Sequence, residues 1–106
     1  MRHLRPRELQ QHLEQAKESP LLLDVREPWE YQTVRLEGSV LVPMRTVPTA
    51  MDAWAHERQI VVICHHGVRS RQVAHYLEMN GFTDVINLSG GIDAWAREVD
   101  PSMPLY

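Results

Sequence analysis

The stretch that decides the fold runs from residue 59 to residue 74 and reads Gln59-Ile60-Val61-Val62-Ile63-Cys64-His65-His66-Gly67-Val68-Arg69-Ser70-Arg71-Gln72-Val73-Ala74. Its first part, residues 60–63, is a run of β-branched apolar residues that predicts a buried strand ending at Cys64. A short loop with Gly67 follows, and the residues from Val68 onward have helical spacing. This strand, loop and helix place the thiol at the carboxyl end of a strand in an α/β sheet.

The rest of the chain alternates between predicted helices and predicted strands. Helices are predicted at residues 6–17, 48–57, 68–80 and 92–98, a short helix or a turn at residues 27–31, and strands at residues 21–25, 40–42, 60–63 and 85–88. The alternation predicts an α/β fold with a mostly parallel sheet and helices on both faces. At 106 residues we expect one domain, residues 1–106. Ligands of such sheets bind outside the carboxyl ends of the strands, where Cys64 is predicted to lie.

Composition narrows the classes of function. Cys64 is the only cysteine, so an intramolecular disulfide is impossible and a reducing compartment, the cytoplasm, is expected. The formal net charge of −3 gives no reason to expect a nucleic-acid partner. The apolar stretches are too short to span a bilayer, and the first residues lack the apolar segment of a secretory signal. We therefore expect no membrane partner.

The loop after Cys64 has the composition of an anion cradle. Gly67 gives the chain the freedom to curl, so that backbone N–H groups and the amino end of the next helix point at the sulfur. Such a cradle stabilises a thiolate, which is a nucleophile at neutral pH. Cys64 is the predicted catalytic residue, and the predicted substrate-binding residues are His65, His66, Gly67, Val68, Arg69 and Ser70. The alternative is a buried structural thiol surrounded by ordinary loop residues.

No metal or other cofactor is predicted. Cys64, His65 and His66 are adjacent, and adjacent positions fit tetrahedral zinc poorly. No second cysteine or carboxylate lies at ligand spacing from them.

Polar and aromatic residues elsewhere are expected to be structural. Arg26 is predicted to form an ion pair with Asp24 or with Glu30, although Asp24 lies at the same sheet edge as Cys64 and a catalytic role is conceivable. The aromatic residues expected to have packing roles are Trp29, Tyr31, Trp54 and Trp95.

Three motifs together resemble those of the single-domain rhodaneses, the thiosulfate and persulfide sulfurtransferases. The first is Leu22-Leu23-Asp24-Val25-Arg26-Glu27-Pro28-Trp29-Glu30-Tyr31, which continues to Gly38 and Pro43. The second is the six-residue loop that begins at Cys64, and the third is Asn87-Leu88-Ser89-Gly90-Gly91-Ile92-Asp93-Ala94-Trp95. The motifs occur in the family's order and cover nearly the whole chain.

The resemblance implies a fold and a reaction. The fold would have a central five-stranded parallel sheet, and Cys64 would accept a sulfane sulfur from a small-molecule donor, become a persulfide and pass the sulfur to a thiol or cyanide. A sulfur-relay protein is a further expected partner. Many catalytic members have Arg directly after the cysteine and Gly-His where this chain has Val34-Arg35, whereas here His65 follows Cys64. Because His is only partly charged near neutral pH, a persulfide donor is expected to serve better than thiosulfate.

Two other functions remain open from the sequence. Related phosphatases and arsenate reductases place one more residue between the cysteine and the arginine than this chain has between Cys64 and Arg69. The shorter ring fits a single sulfur better than a tetrahedral oxyanion. Rhodanese-like binding modules often lack the cysteine, so the presence of Cys64, Gly67 and Arg69 favours an enzyme over a binding module.

Overall fold

A computed structural model describes residues 1–106. Its five strands are β1 (Arg2–Leu4), β2 (Leu21–Asp24), β3 (Val40–Leu41), β4 (Ile60–Ile63) and β5 (Val85–Leu88). They form one sheet in the order β1-β5-β4-β2-β3, and every neighbouring pair is parallel. The predicted α/β fold with a five-stranded parallel sheet is confirmed, and β4, which leads to Cys64, is its central strand.

The helices are α1 (Pro6–Gln15), α2 (Pro28–Thr33), α3 (Val47–Ala50), α4 (Val68–Met79) and α5 (Gly91–Glu98). The helix predicted at residues 48–57 is wrong in extent, because α3 is a single turn between the 3₁₀ turns Met44–Thr46 and Met51–Ala53. The backbone is already extended at Trp54, which ends the helical segment there. No helix of the fold has both the length and the apolar character needed to cross a bilayer.

The sheet separates two hydrophobic clusters, and the alternating side chains of β4 contribute to both. Ile60 and Val62, together with Cys64 just after the strand, belong to the cluster that includes Val73 and Leu77 of α4. Val61 and Ile63 point to the other face and belong to the second cluster, which packs under α1 and α5. Layers on both faces bury all four residues of β4, and this burial explains its continuous apolar run.

The edge strand β1 was not among the strands that the sequence patterns predict. Its three residues pair with β5 from Arg2↔Ile86 to Leu4↔Leu88. Arg2 and His3 are exposed, so the segment carries no apolar run that would mark it as a strand. The segment is a strand only because it pairs with β5.

Candidate active site

Cys64 follows β4 directly, and the loop after it surrounds the sulfur. The backbone N–H of Gly67 lies 3.0 Å from Sγ, and that of Ser70 lies 3.3 Å from it. Gly67 has a φ of +97°, a conformation that L side chains rarely adopt, and this turn brings the chain back over the sulfur. Two N–H groups that converge on one atom stabilise negative charge on it.

The amino end of α5 holds the Cys64 loop in place. The backbone N–H of Ile92 donates to the carbonyl oxygen of Cys64 at 2.9 Å, and that of Asp93 donates to the carbonyl oxygen of His65 at 3.1 Å. Gly91 is so close that an added Cβ would come within 2.3 Å of the His65 carbonyl oxygen. The helix can therefore approach the loop only because residue 91 has no side chain.

Ser70 lies fully buried beside the sulfur, on α4. Its Oγ is 3.3 Å from Cys64 Sγ, and its hydroxyl donates to Asn87 Oδ1 at 2.6 Å. The Asn87 side-chain nitrogen lies 3.2 Å from Nδ1 of His3 on the edge strand β1. A hydroxyl has one proton, so while it donates to Asn87 it can only accept from the Cys64 thiol. Asn87 is not a predicted site residue, although a polar side chain inside the apolar run of β5 is the signal that could have found it.

A buried ion pair lies at the carboxyl end of β2. The Arg26 guanidinium donates to Asp24 from Nε at 2.9 Å and from Nη2 at 2.7 Å, and both side chains are fully buried. Nη2 also donates to the carbonyl oxygen of Val34 at 2.6 Å. Burial disfavours the charged guanidinium, but the hydrogen bonds to Asp24 and Tyr106 outweigh it and raise the pKa of Arg26. The predicted pair of Arg26 with Asp24 is confirmed.

Glu30, the alternative partner considered for Arg26, pairs with Arg69 instead. Arg69 donates to the two carboxylate oxygens at 2.7 and 2.9 Å. Burial alone would raise the pKa of Glu30, but hydrogen bonds from Arg69, from the Glu27 backbone and from Tyr106 lower that pKa to about 2. The hydrogen bond between Arg69 and Glu30 also raises the pKa of Arg69. The Arg69 charge is thus balanced inside the protein, and its contact with an anionic substrate stays a prediction.

Tyr106 enters the site from a distant part of the sequence, and no motif predicts it there. Its hydroxyl accepts a hydrogen bond from Arg26 Nη1 and donates one to Glu30 Oε2, each 2.7 Å long. Burial raises the pKa of Tyr106 to about 12, although the hydrogen bond from Arg26 acts in the opposite direction. The phenol is therefore neutral at physiological pH and connects the Asp24–Arg26 pair with the Glu30–Arg69 pair.

His65 is stacked between two other rings. Its ring centroid lies 3.9 Å from that of His66 and 3.9 Å from that of Tyr106. Burial, followed by the repulsion of His66, lowers the pKa of His65, so this ring is neutral at pH 7. Of the other predicted substrate-binding residues, His66 is exposed and Val68 is 58% exposed at the start of α4.

His65, His66 and Asp93 bring three potential metal ligands within 4.8 Å of one another. The two imidazole rings are stacked with centroids 3.9 Å apart and planes only 26° apart, so their lone pairs lie in separate, nearly parallel planes and cannot both point at one ion. Zinc requires ligands that converge tetrahedrally, and these residues do not fit it. That no metal binds here stays a prediction.

Trp29, predicted to be a packing residue, lies at the mouth of the site and packs against Tyr106 while most of its surface stays exposed. It is 61% exposed, and its ring meets that of Tyr106 edge-on with centroids 5.6 Å apart. The short helix α2 buries only Glu30, so the neighbouring Trp29 faces another side. Trp54 and Trp95 pack against the two hydrophobic clusters, as predicted.

Comparison with known proteins identifies the family. The sequence-family model for the rhodanese-like domain matches residues 5–98 of the chain. The chain belongs to the rhodanese-like family. The resemblance of the three sequence motifs is therefore confirmed.

Relatives of this rhodanese-like chain include proteins named sulfurtransferases. One from Allochromatium vinosum is 39% identical over 80 residues, which cover 76% of this chain and 75% of that protein. The probable adenylyltransferase/sulfurtransferase MoeZ of Mycobacterium tuberculosis is 34% identical over 103 residues, which cover 95% of this chain but 26% of that protein. The chain thus spans about a quarter of the length of that relative. A rhodanese-like domain protein from Staphylococcus aureus has the same fold, with a TM-score of 0.83, 30% identity and coverage of 100% of this chain and 99% of the other.

Proposed function

We propose that this rhodanese-like chain is a sulfurtransferase that carries sulfane sulfur as a persulfide on Cys64. The observation that carries the proposal is the pair of N–H groups, from Gly67 and Ser70, that converge on Sγ at 3.0 and 3.3 Å. A binding module has no need of such a cradle around a thiol. A phosphatase would need Arg69 to hold the phosphoryl group, and Arg69 is bound to Glu30.

The reaction has two displacement steps. The Cys64 thiolate attacks the outer sulfur of the donor, a bond forms between the two sulfurs, and the donor's S–S bond breaks. The leaving group departs with the electron pair, as sulfite from thiosulfate or as a thiolate from a persulfide. A thiolate or cyanide then attacks the outer sulfur of the Cys64 persulfide, which releases the Cys64 thiolate. The N–H groups of Gly67 and Ser70 stabilise the negative charge on the enzyme in both steps.

The charge balance of the site favours a persulfide donor over thiosulfate. Arg26 and Arg69 are each paired with a carboxylate. The lowered pKa of His65 leaves its ring neutral. Thiosulfate is a dianion, and of Arg26, Arg69 and Arg71 only Arg71, which lies beside the loop, is left without a carboxylate partner to attract it. A low-molecular-weight persulfide places less charge at the reacting sulfur and needs no such attraction.

The acceptor is cyanide or a thiol, and a thiol acceptor belongs either to a small molecule or to a protein in a sulfur relay. The similarity to about a quarter of a protein named for both adenylyltransferase and sulfurtransferase activity supports the relay.

Steady-state sulfur transfer to cyanide and to a thiol tests the proposal. We expect turnover with a low-molecular-weight persulfide, lower kcat/KM with thiosulfate, and none with either donor for Cys64→Ser. The serine variant keeps the shape of the side chain and removes the sulfur. Turnover by Cys64→Ser at the wild-type rate would contradict the proposal, and so would a folded wild-type protein that transfers sulfur from neither donor, which would favour a binding module.

A further inference from the structure

We infer that His3 is a positioning residue for the Cys64 thiolate, because it sets the orientation of the Asn87 amide and thereby decides whether the Ser70 hydroxyl donates to the sulfur. His3 does not contact the sulfur and acts only through these two side chains. The effect on the thiolate holds whatever reaction Cys64 performs, whereas its consequence for sulfur transfer rests on the function proposed above.

A chain of three hydrogen-bonding contacts connects the sulfur with the edge of the sheet. Cys64 Sγ lies 3.3 Å from Ser70 Oγ, which lies 2.6 Å from Asn87 Oδ1. The Asn87 side-chain nitrogen lies 3.2 Å from Nδ1 of His3, its register partner on the neighbouring strand β1. Ser70 and Asn87 are buried and His3 is exposed, so the chain joins the buried sulfur to a titratable ring that meets solvent.

The direction of each hydrogen bond follows from the atoms that face one another. Asn87 turns its NH₂ group toward His3, so the amide donates to Nδ1, and Nδ1 carries no proton. Asn87 turns its oxygen toward Ser70, which uses its only proton there and can do no more than accept from the Cys64 thiol. This first arrangement suits a neutral His3 and an un-ionised Cys64.

Protonation of His3 excludes the first arrangement. A doubly protonated imidazole has an N–H group at both nitrogens and offers the amide no acceptor. The oxygen and nitrogen of the Asn87 amide have nearly the same size, so half a turn of the amide exchanges them without moving the backbone. The Asn87 oxygen then accepts from His3, and its nitrogen donates to Ser70 Oγ. The Ser70 proton becomes free to donate to the Cys64 thiolate.

The charge on His3 and the charge on Cys64 are therefore coupled. A neutral imidazole permits either arrangement, each with one of its two tautomers, whereas the protonated ring permits only the second. A charged His3 thus favours a thiolate at Cys64, and the thiolate favours a charged His3 by the same factor. In the second arrangement the Ser70 hydroxyl is a third donor to the sulfur, beside the backbone N–H groups of Gly67 and Ser70.

Other charged or titratable groups line the two surface depressions that His3 shares with the Cys64 loop and with α4. They are His66, Arg71, His75 and the amino group of Met1, which is paired with Glu78. No acidic residue lines either depression. These charges act on the sulfur through space, without the hydrogen-bond chain, so the test has to separate the two routes.

Alkylation of Cys64 by iodoacetamide reports on its thiolate without requiring sulfur transfer, and the lone cysteine makes the signal unambiguous. His3→Asn keeps a hydrogen-bonding group near the place of Nδ1 but takes up no charge. We expect this variant to react about threefold to fivefold more slowly than the wild type at about pH 6, where imidazoles take up a proton. At about pH 8, where they are neutral, the two rates should agree within about 1.5-fold.

The same substitution in a Ser70→Ala background separates the hydrogen-bond chain from the field effect. Without the hydroxyl the chain is broken, so His3→Asn should leave the alkylation rate of Ser70→Ala unchanged at both pH values. An equal slowing in both backgrounds at the lower pH would show that His3 acts through its charge alone and would overturn the inference. Equal rates of His3→Asn and the wild type at the lower pH would overturn it as well.

His75→Asn is the matched control, because His75 lines one of the same depressions and makes no hydrogen bond to Asn87. Its alkylation rate should follow that of the wild type at both pH values, and a slowing equal to that of His3→Asn would contradict the inference. If His3→Asn fails to fold, His3→Val, which places a strand-forming residue at this edge position, decides by the same ratios.

Sulfur transfer then tests the consequence for catalysis. His3→Asn should lower kcat/KM for a low-molecular-weight persulfide by about threefold to fivefold at about pH 6 and leave it unchanged at about pH 8. An unchanged kcat/KM at both pH values would overturn this consequence. If the wild type turns over no donor, the proposed function fails, while the alkylation rates still decide whether His3 positions the Ser70 proton.

Discussion

Ser70 has one proton to offer and two neighbours that can accept it. Its Oγ is 2.6 Å from Asn87 Oδ1 and 3.3 Å from Cys64 Sγ. Once Cys64 is a thiolate, a hydrogen bond from the hydroxyl to Sγ must compete with the existing bond to Asn87. Substituting Ser70 or Asn87 singly shows which of the two acceptors the hydroxyl proton serves. In either variant the backbone N–H of residue 70 still points at the sulfur.

Ser70→Ala is expected to slow alkylation of Cys64 by iodoacetamide at pH 7 by about tenfold, since a hydrogen bond to a charged group contributes roughly 1.5 kcal/mol. Asn87→Leu removes the competing acceptor, frees the Ser70 proton for Sγ, and is expected to raise the same rate. If both variants slow alkylation to the same extent, the hydroxyl does not stabilise the thiolate.

Glu30 masks the charge of Arg69, and Glu30→Gln would unmask it while keeping the shape of the side chain. We expect this variant to raise kcat/KM for thiosulfate by about threefold to tenfold and to leave that for a persulfide within about twofold, because only the dianion gains from a free guanidinium. Glu27→Gln, at the N-cap of the same helix and paired with the exposed Arg45, is the control. An unchanged or lower kcat/KM for thiosulfate in Glu30→Gln would show that the pairing with Glu30 does not limit the use of this donor.

At the scale of elements, the contact between α5 and the Cys64 loop depends on the absence of a side chain at Gly91. Gly91 and Gly38 both have positive φ, at +63° and +81°. A Cβ at Gly38 would meet nothing within 4 Å, whereas at Gly91 it would lie 2.5 Å from the Cys64 carbonyl oxygen. Alanine substitutions at the two positions therefore distinguish the cost of the backbone conformation from the cost of a steric clash.

Gly38→Ala is expected to lower the free energy of unfolding by about 1 kcal/mol through its backbone conformation alone. Gly91→Ala should lower it by about 2 kcal/mol more and should also reduce sulfur transfer, because α5 must move away from the loop. Urea unfolding and steady-state kinetics measure the two effects. Equal losses of stability in the two variants would mean that the approach of α5 is not tight.

The elements show which features a sequence pattern can predict. The four apolar residues of β4 identify that strand because burial on both faces leaves no polar position in it. The segment 48–57 has apolar residues at helical spacing but forms only one α-helical turn. Arg2–Leu4 becomes a strand through pairing with β5 and carries no pattern of its own. Local patterns thus identify the buried elements and miss those that tertiary contacts determine.

The contacts of the site show the same distinction between local and tertiary features. Gly67 and Ser70 could be predicted because they follow Cys64 within one loop, and the loop alone brings their N–H groups to the sulfur. The pairing of Glu30 with Arg69 spans 39 residues, and the contact of Arg26 with Tyr106 spans 80. Such pairs depend on how the elements pack, which the spacing of residues does not encode.

At the scale of the whole molecule, the lowered pKa of Glu30 links stability to pH. The ordinary pKa of 4.5 falls to about 2 in the folded protein, so between these values the folded state binds fewer protons than the unfolded state. The stability that Glu30 contributes is therefore fully present above about pH 4.5 and is lost as the pH falls through about 2. The free energy of unfolding by urea should decrease over that window.

Glu30→Gln removes the titrating group and should show a flatter decrease over the same window. Glu27→Gln should follow the wild-type curve. A wild-type curve that is parallel to that of Glu30→Gln would show that the ion pair with Arg69 does not lower the pKa of the carboxyl group.

Intact mass spectrometry shows whether Cys64 carries the transferred sulfur. The protein is incubated with a low-molecular-weight persulfide, freed of donor, and weighed before and after addition of a thiol acceptor. We predict a gain of one sulfur atom on the wild type, loss of that atom on addition of the thiol, and no gain on Cys64→Ala. A wild-type mass that stays unchanged with the persulfide and with thiosulfate, or an equal gain by Cys64→Ala, would contradict the account.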